Sequence, residues 1–428
     1  MIIPAMNGLS SPLLGAVFES HGVLTHVPET YAGLELGKKH TSGKECFPCM
    51  ITLGDILLAL QQEKERLGDS FKSENYAIFL PGADGPCRYG MYPKLQRIIL
   101  DSNPGFEGVK FATLLSQSGY SIGAIIGESR ARDFRKMGYT ALVVGDLLER
   151  LLWHIRPYEK QSGLADAHIE TGQKKLIEVF RRYAASMDFD PVYDTLRMIF
   201  NDAGDILDSS IPPKPLIGII GEIYVRNHAE SNQHLVRMLE KNGAEVVNAT
   251  IGEWVNYISY EKMIRAKRNA KFYAGRFDFD GYRKSLKEFL TYGVDLFYQK
   301  FRQRSLYKLA CDRIAVCGDH DISDLDRKIT KSNLMGFHIA AETWLSIAGA
   351  MMYRDQGFDG VVNIYPFTCM PSTITSSILK PWCNKNKFPF MEAQYDGSHQ
   401  ACRENIIRTF MYRAQQHFER NGRGKHMT

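Results

Sequence analysis

The segment that decides the fold lies at residues 360–371 and reads GVVNIYPFTCMP. Its first six residues form a short, mostly apolar run, which is typical of a strand in a parallel sheet. Pro366 and Pro371 enclose a short loop that contains Cys369, and a helical pattern follows. The segment therefore predicts a strand, a loop that carries a cysteine, and a helix, in the order that α/β folds repeat.

The same order recurs along the chain. Apolar runs predict strands at residues 76–80, 215–225, 244–249, 360–365 and 388–393. Apolar residues at three- and four-residue steps predict helices at 53–65, 142–154, 174–185, 234–242, 340–353 and 404–418. The alternation indicates an α/β protein with parallel sheets, arranged as doubly wound, Rossmann/flavodoxin-like domains.

The length of the chain favours two such domains, because 428 residues exceed what one hydrophobic core usually serves. Residues 208–215 read DSSIPPKP, and their prolines and small polar residues interrupt both kinds of period just before a new strand. We expect domains at 1–210 and 211–428. In both halves a loop is followed by a helix, a glycine and a strand. Internal duplication would explain this similarity, and so would the order of elements that all doubly wound domains share.

Composition and charge indicate a folded soluble protein. Hydrophobic residues make up 44% of the chain and charged residues 24%, close to the globular average. The net charge of +5 is spread along the chain, so it gives no basis for a nucleic-acid partner. The start lacks the pattern of a signal peptide, and no apolar run approaches the length of a membrane span. We expect a cytoplasmic protein that binds no membrane.

Four cysteines have the surroundings of metal ligands. Cys46 and Cys49 form a CxxC pair, and Cys87 and Cys369 each follow a strand and a proline. In an open α/β sheet, ligands bind beyond the carboxyl ends of the strands, where helices begin. A helix N-terminus stabilises an anionic thiolate through unpaired N–H groups and its partial positive charge. With three cysteines from the first half and one from the second, the metal would lie between the domains.

Other interpretations of the cysteines remain open at this point. A free cysteine often behaves as a small buried hydrophobic residue, which suits Cys311, Cys383 and Cys402. The CxxC pair is also compatible with a redox dithiol, although no thioredoxin-like strand precedes it. Four thiolates serve zinc and iron–sulfur centres equally. A site built from distant segments suits a cluster between domains better than a structural zinc site, whose ligands usually come from one short segment.

Four motifs in order resemble the 2-hydroxyacyl-CoA dehydratase superfamily, in particular the dehydratase-like region of CoA-enzyme activase-related proteins. They are GKECFPC at 43–49, FLPGADGPCRYGMY at 79–92, GEIYVR at 221–226 and NIYPFTCMP at 363–371. The resemblance covers nearly the whole chain. It implies an oxygen-sensitive 4Fe-4S cluster between α/β domains, and electrons delivered at low potential by a separate ATP-hydrolysing activator protein.

The resemblance also implies alternatives for the cofactor and the reaction. Substrate-binding dehydratase subunits hold their cluster by three cysteines and leave one iron open, whereas four ligands would favour electron relay. Related double-cubane proteins carry an 8Fe-9S cluster and reduce small molecules, which here would require Cys369 to join Cys317 and Cys402. A non-catalytic, metal-stabilised interaction protein is the competing class. The activators are twofold dimers, so a homodimer of this chain would match their symmetry.

Three residues beside these motifs are candidate catalytic groups. Asp84 and Arg88 flank Cys87 and are able to donate hydrogen bonds or steer protons, and Glu222 ends a predicted strand with Arg226 as its charge partner. A CoA thioester would need basic residues for its phosphates, for which the cluster at 130–136 is available. The glycine-rich run at 85–90 lacks the lysine and hydroxyl of a phosphate loop, so we expect no ATP hydrolysis by this chain.

Overall fold

The computed structural model of the chain describes residues 1–82, 87–113, 120–310, 312, 314–336 and 341–422. The helices of the first half are α1 (Ser10–Ser20), α2 (Leu34–Lys39), α3 (Phe47–Leu67), α4 (Tyr92–Asp101), α5 (Ile122–Ile126), α6 (Glu128–Ile155), α7 (Leu164–Tyr183) and α8 (Asp190–Ala203). Those of the second half are α9 (Ile223–Asn227), α10 (Leu235–Lys241), α11 (Ile251–Ala274), α12 (Phe279–Ala310), α13 (Ile322–Ser332), α14 (Thr343–Asp355), α15 (Met370–Lys385) and α16 (Arg403–Asn421). The strands are β1 (Ala77–Phe79), β2 (Lys110–Thr113), β3 (Tyr120–Ser121), β4 (Leu216–Gly221), β5 (Glu245–Asn248), β6 (Gly360–Pro366) and β7 (Phe390–Tyr395).

The described strands form two parallel sheets. The smaller sheet has the order β1-β2-β3, and Ile2 lies alongside β1, where its backbone N–H donates to Ala77 O at 2.8 Å. The larger sheet has the order β5-β4-β6-β7, with every pair parallel. Helices connect the successive strands of the larger sheet, as parallel pairing requires.

The larger sheet reverses its direction of growth between β4 and β6. The chain leaves β4 for β5 on one side and then crosses to the other side for β6 and β7. Every residue of β4 and β6 is buried, as expected for central strands. Ligand sites of open α/β sheets lie at such a reversal, beyond the carboxyl ends of the two strands. Here those ends lead into Glu222 and into the loop that contains Cys369.

The prediction of an α/β protein with parallel sheets is confirmed, and one predicted strand is too long. The strand expected at 215–225 ends at Gly221, and α9 begins at Ile223. The cause is Glu222, whose carboxylate accepts the backbone N–H groups of Tyr224 at 3.0 Å and Val225 at 2.9 Å. A carboxylate in this position caps a helix N-terminus and so ends the strand.

Apolar cores extend across the proposed domain boundary. Residues 208–215 form neither helix nor strand, in agreement with their proline content. One buried cluster nevertheless joins Leu147 of α6 to Leu306 of α12, and another joins Phe47 of α3 to Ile364 of β6. The two halves of the sequence therefore share buried apolar side chains.

The helices α11 and α12 pack along each other as a hairpin joined by residues 275–278. At about 1.5 Å per residue, the 32-residue α12 is about 48 Å long. Both helices also contact α6 of the first half. Within the described ranges, none of the helices is both long and apolar enough to cross a membrane.

Candidate metal centre

The CxxC pair lies at the N-terminus of α3. Cys46 is the residue immediately before the helix and has a φ of 102°, a conformation that non-glycine residues rarely adopt. The N–H of Cys49 donates to Cys46 O at 3.1 Å, which places both cysteines in the first turn. Pro48 fits there because this turn needs no N–H donor from it. Cys46 is only 9% exposed and Cys49 is fully buried, at 0%.

The two other predicted ligands also precede helices. Cys87 lies just before a short 3-10 turn, Arg88–Met91, that continues into α4. Cys369 follows β6 and immediately precedes α15, and its Sγ lies 3.6 Å from Ser372 Oγ. Cys369 is buried and Cys87 is partly buried. Each predicted ligand is therefore next to backbone N–H groups that have no helical partner.

Arg88 connects the three cysteine-bearing loops. One guanidinium nitrogen, Nη2, donates to Thr368 O at 2.6 Å and to Thr368 Oγ1 at 3.1 Å, directly before Cys369. The other, Nη1, donates to the carbonyl of Lys44, two residues before Cys46. Arg88 itself follows Cys87. A single planar guanidinium thus ties loops from both halves of the sequence, which a lysine with one charged nitrogen would not reproduce.

Burial raises the pKa of all four thiols, and two of them are also affected by another cysteine. Burial raises the pKa of Cys46 to about 11 and that of Cys369 to about 12. Burial also raises the pKa of Cys49, with a further contribution from Cys46, and the pKa of Cys87, with a contribution from Cys369. The pKa of the partly exposed Tyr89 is raised by desolvation and then by Cys87, with a further contribution from Cys49. Because such effects fade with distance, Cys46 lies near Cys49, Cys87 lies near Cys369, and Tyr89 lies near a cysteine of each pair.

The donor set fits a thiolate-bound metal cluster. Buried thiols with raised pKa values stay protonated unless a nearby cation stabilises the thiolate, and a metal provides that charge. Among the described residues, no group of three or more His, Cys, Asp and Glu side chains is arranged to hold a single metal ion. A cubane differs from a single ion because each of its thiolates binds a separate iron, which suits ligands from separate loops.

Two buried carboxyl groups lie beside the thiols. Glu222 caps α9, and its pKa is raised by burial. Burial and then the neighbouring Glu222 raise the pKa of Glu342 to about 8, while its Oε1 accepts the N–H of Ile223 at 3.1 Å. Both carboxylates raise the pKa of Cys87, after the larger effect of burial. The pair can therefore hold at least one proton near neutral pH, next to the predicted ligands.

Arg226, the expected charge partner of Glu222, forms its hydrogen bonds with backbone carbonyl groups. Nη1 donates to Gly221 O at 2.7 Å and Nη2 to Thr250 O at 3.4 Å. Its positive charge lowers the pKa of both Glu222 and Glu342 and so opposes the larger effect of burial. Arg226 thereby limits how strongly the buried carboxyl pair retains its protons.

Two of the remaining predicted positions are not described by the structure, and the others have different surroundings. Asp84 and Cys311 fall outside the described residues. Cys317 lies beside Arg150, which donates to the Cys317 carbonyl, and Cys402 is exposed just before α16. Cys383 is fully buried in an apolar cluster, as expected for a structural cysteine.

Sequence reasoning did not identify Glu342 or the aromatic residues that contact the thiols. Glu342 immediately precedes α14, a helix with almost all of its residues buried. A carboxylate at the start of so apolar a helix is the signal that would have identified it. Tyr92, the first residue of α4, forms a hydrogen bond with the Cys46 thiol and is only 2% exposed.

Comparison of the chain with models of known protein families found no match. A comparison with functionally curated proteins also found none.

Proposed function

We propose that this protein binds a 4Fe-4S cluster through Cys46, Cys49, Cys87 and Cys369 and transfers electrons at low potential, as a relative of the 2-hydroxyacyl-CoA dehydratases. The observation that carries the proposal is the hydrogen bonding of Arg88, which ties together the loops of all four cysteines. Its support from sequence is the resemblance of four motifs in order. Its partner would be an ATP-dependent activator that reduces the cluster.

The chain's own residues have three roles in this proposal. The N-termini of α3 and α15 and the turn before α4 stabilise negative charge at the cysteines. Burial excludes water from the thiolates and from the metal that they hold. Glu222 and Glu342 supply a carboxyl proton beside the site when the charge of the site changes. The cluster itself would supply reversible one-electron chemistry.

The number of ligands distinguishes electron relay from substrate chemistry. Because Arg88 ties the loops of all four cysteines together, we favour ligation by all four. Four ligands leave no iron open for a substrate oxygen, which favours electron relay. The contact between Cys369 Sγ and Ser372 Oγ at 3.6 Å favours a second candidate function. In it, the Cys369 thiol stays hydrogen-bonded to Ser372, and the other three cysteines hold the cluster. That arrangement would support radical dehydration or reduction of an acyl-CoA.

Metal and sulfide analysis of protein purified under argon tests the proposal. We expect a brown protein with about four irons and four sulfides per chain, and an EPR signal after reduction. One tightly bound zinc without sulfide would contradict it and would favour a metal-stabilised interaction protein. About eight irons per chain would favour the double-cubane alternative.

The two candidate functions differ in the behaviour of a Cys369→Ser variant. Electron relay through four ligands predicts loss of iron, whereas three-cysteine ligation predicts retention of the cluster with an unchanged iron content. Titration with an acyl-CoA is the second measurement. Affinity at millimolar ligand or better supports the dehydratase candidate, and no binding supports electron relay.

A further inference from the structure

The hairpin of α11 and α12 exposes a continuous apolar stripe on α12. Its residues recur at steps of three or four and are between 38% and 74% exposed: Phe279, Tyr282, Leu286, Leu290, Val294, Phe297 and Phe301. At about 100° per residue, they fall within an arc of about 120° on the helix surface. The buried residues Ser285, Leu296 and Gln303 lie about 100–120° around the helix from the middle of the stripe, against the rest of the protein.

The area of this stripe is larger than an isolated protein usually exposes. The exposed fractions of its seven side chains correspond to roughly 700 Å² of mostly apolar surface. The largest apolar patch of a typical monomer is about 300–600 Å². A standard protein–protein interface buries about 800 Å² on each partner. The stripe alone therefore approaches the area that a stable dimer needs.

The spacing of the stripe is self-complementary. If two copies of α12 pair in antiparallel fashion about a twofold axis at Leu290, the residue numbers of facing positions sum to 580. Phe279 then faces Phe301, and Leu286 faces Val294. Tyr282 and Phe297 meet with an offset of one residue, and Leu290 meets its own copy. Every large apolar residue of the stripe thus finds an apolar partner on an identical helix.

Two charged residues fall within the same arc, and Lys300, at its edge, is already paired with Asp321 at 2.8 Å. Arg283 is exposed, and under the same twofold axis it faces Phe297 of the second copy. A guanidinium group is attracted to the face of an aromatic ring. The charge of Arg283 would therefore be stabilised by Phe297 in this pairing. An interface between two identical copies requires this kind of self-complementarity, whereas an interface with a different protein does not. The pattern therefore favours a second copy of this chain as the partner.

We infer that the protein forms a homodimer through antiparallel pairing of the apolar stripe of α12, with the twofold axis at Leu290. The surface is separate from the metal centre, and the dimer does not depend on a bound cluster. Association removes seven apolar side chains of each copy from contact with water, and this burial provides the driving force.

Sedimentation of the full chain at micromolar concentration tests this inference. We expect a dimer for the native protein and a monomer for Leu290→Glu, with a dissociation constant raised by about 100-fold or more, because two carboxylates would meet at the axis. Tyr412→Glu is the matched control, since Tyr412 is 66% exposed on α16, outside the stripe, and should leave the dimer intact. A monomeric native protein would overturn the inference, as would one that associates only with lipid vesicles or with a different protein.

Cysteine cross-linking tests the position of the axis without relying on a disruptive variant. Leu290→Cys places two thiols next to each other, so mild oxidation should give a covalent dimer linked at residue 290. Val294→Cys is the matched control, because its two copies would be about 12 Å apart along the helices, too far for a disulfide. Cross-linking of Leu290→Cys no greater than that of the native protein, which has an exposed Cys402, would overturn the proposed pairing.

Discussion

Arg88 donates hydrogen bonds to both the carbonyl and the hydroxyl oxygen of Thr368, at 2.6 and 3.1 Å. Thr368 directly precedes Cys369 and has a φ of 63°, which is uncommon for a residue with a side chain. The guanidinium therefore holds the loop of the fourth cysteine in a conformation that the loop would not favour alone. Arg88, proposed from the sequence as a catalytic group, has the contacts of a residue that positions the ligands.

Replacing Arg88 with lysine should loosen the cysteine loops while it keeps the positive charge. A lysine cannot form the paired hydrogen bonds to Thr368 and the bond to Lys44 together. We expect Arg88→Lys to lose about 1–2 kcal/mol of unfolding free energy and to release iron faster in air. Iron content and its decay in air measure this effect, with Arg66→Lys, at an exposed ion pair on α3, as the control. Decay at the native rate would contradict the positioning role.

Removing one predicted ligand should remove the cluster. Cys87→Ala should lose most of its iron and sulfide, because three thiolates hold a cubane less firmly than four. Cys402→Ala is the matched control, since Cys402 is exposed whereas the four predicted ligands are buried or partly buried. Iron analysis of both variants under argon measures the difference. Full iron content in Cys87→Ala would exclude this residue as a ligand.

Gly221 should tolerate no side chain. Its φ is 112°, and a Cβ atom there would lie 2.1 Å from Ile364 O on the neighbouring strand β6. We expect Gly221→Ala to cost about 3 kcal/mol or more of unfolding free energy, measured by urea denaturation. Gly243→Ala, where φ is also positive but a Cβ would meet no atom within 4 Å, should cost only about 1 kcal/mol. Equal losses for the two variants would show that the contact with β6 is unimportant.

His228 should make the stability of the protein depend on pH. Burial lowers the pKa of His228 to about 4, and its Nδ1 accepts the N–H of Ser231 at 3.0 Å, which requires an unprotonated ring. Between its folded and unfolded pKa values, the unfolded chain binds the extra proton. The contribution of His228 is therefore present above about pH 6.5 and is lost as the pH falls towards 4.

The measurement compares unfolding free energies at two pH values. Between pH 7.5 and 5, the native protein should lose about 2 kcal/mol more than His228→Gln. The comparison with a variant is needed because burial raises the pKa of Asp55 to about 6, which gives a pH dependence of opposite sign. His399→Gln, at an exposed position, should behave as the native protein does. The same pH dependence in His228→Gln would contradict the prediction.

The parallel strands of the larger sheet were predictable because they are buried on both faces. Val361, Val362 and Ile364 form an apolar run without alternation, and this pattern is local. The end of β4 was not predictable from such a pattern, because Ile223 and Val225 continue the apolar run. What ends the strand is the capping carboxylate of Glu222, whose geometry the pattern does not contain.

The candidate metal site was predictable only in part, because some of its residues are brought together by contacts that a local sequence pattern does not contain. Cysteines among prolines at strand ends indicate a ligand even when each is considered alone. Glu342 becomes part of the site only because its loop lies against Ile223, 119 positions earlier in the chain. The hairpin of α11 and α12 was missed because α12 has apolar residues on two faces, so one helical period is hard to discern.

The hydrogen bonds between Arg88 and Thr368 also bear on when the proposed metal centre would form during synthesis of the chain. The two residues are 280 positions apart, and a ribosome that adds about 5–20 residues per second needs roughly 14–56 s to pass from one to the other. During that time the first three cysteines exist without the fourth and without the loop that Arg88 holds. On the proposed ligation by all four cysteines, the complete set of ligands would exist only after Cys369 has been synthesised, so a cluster would be inserted late in synthesis or after it.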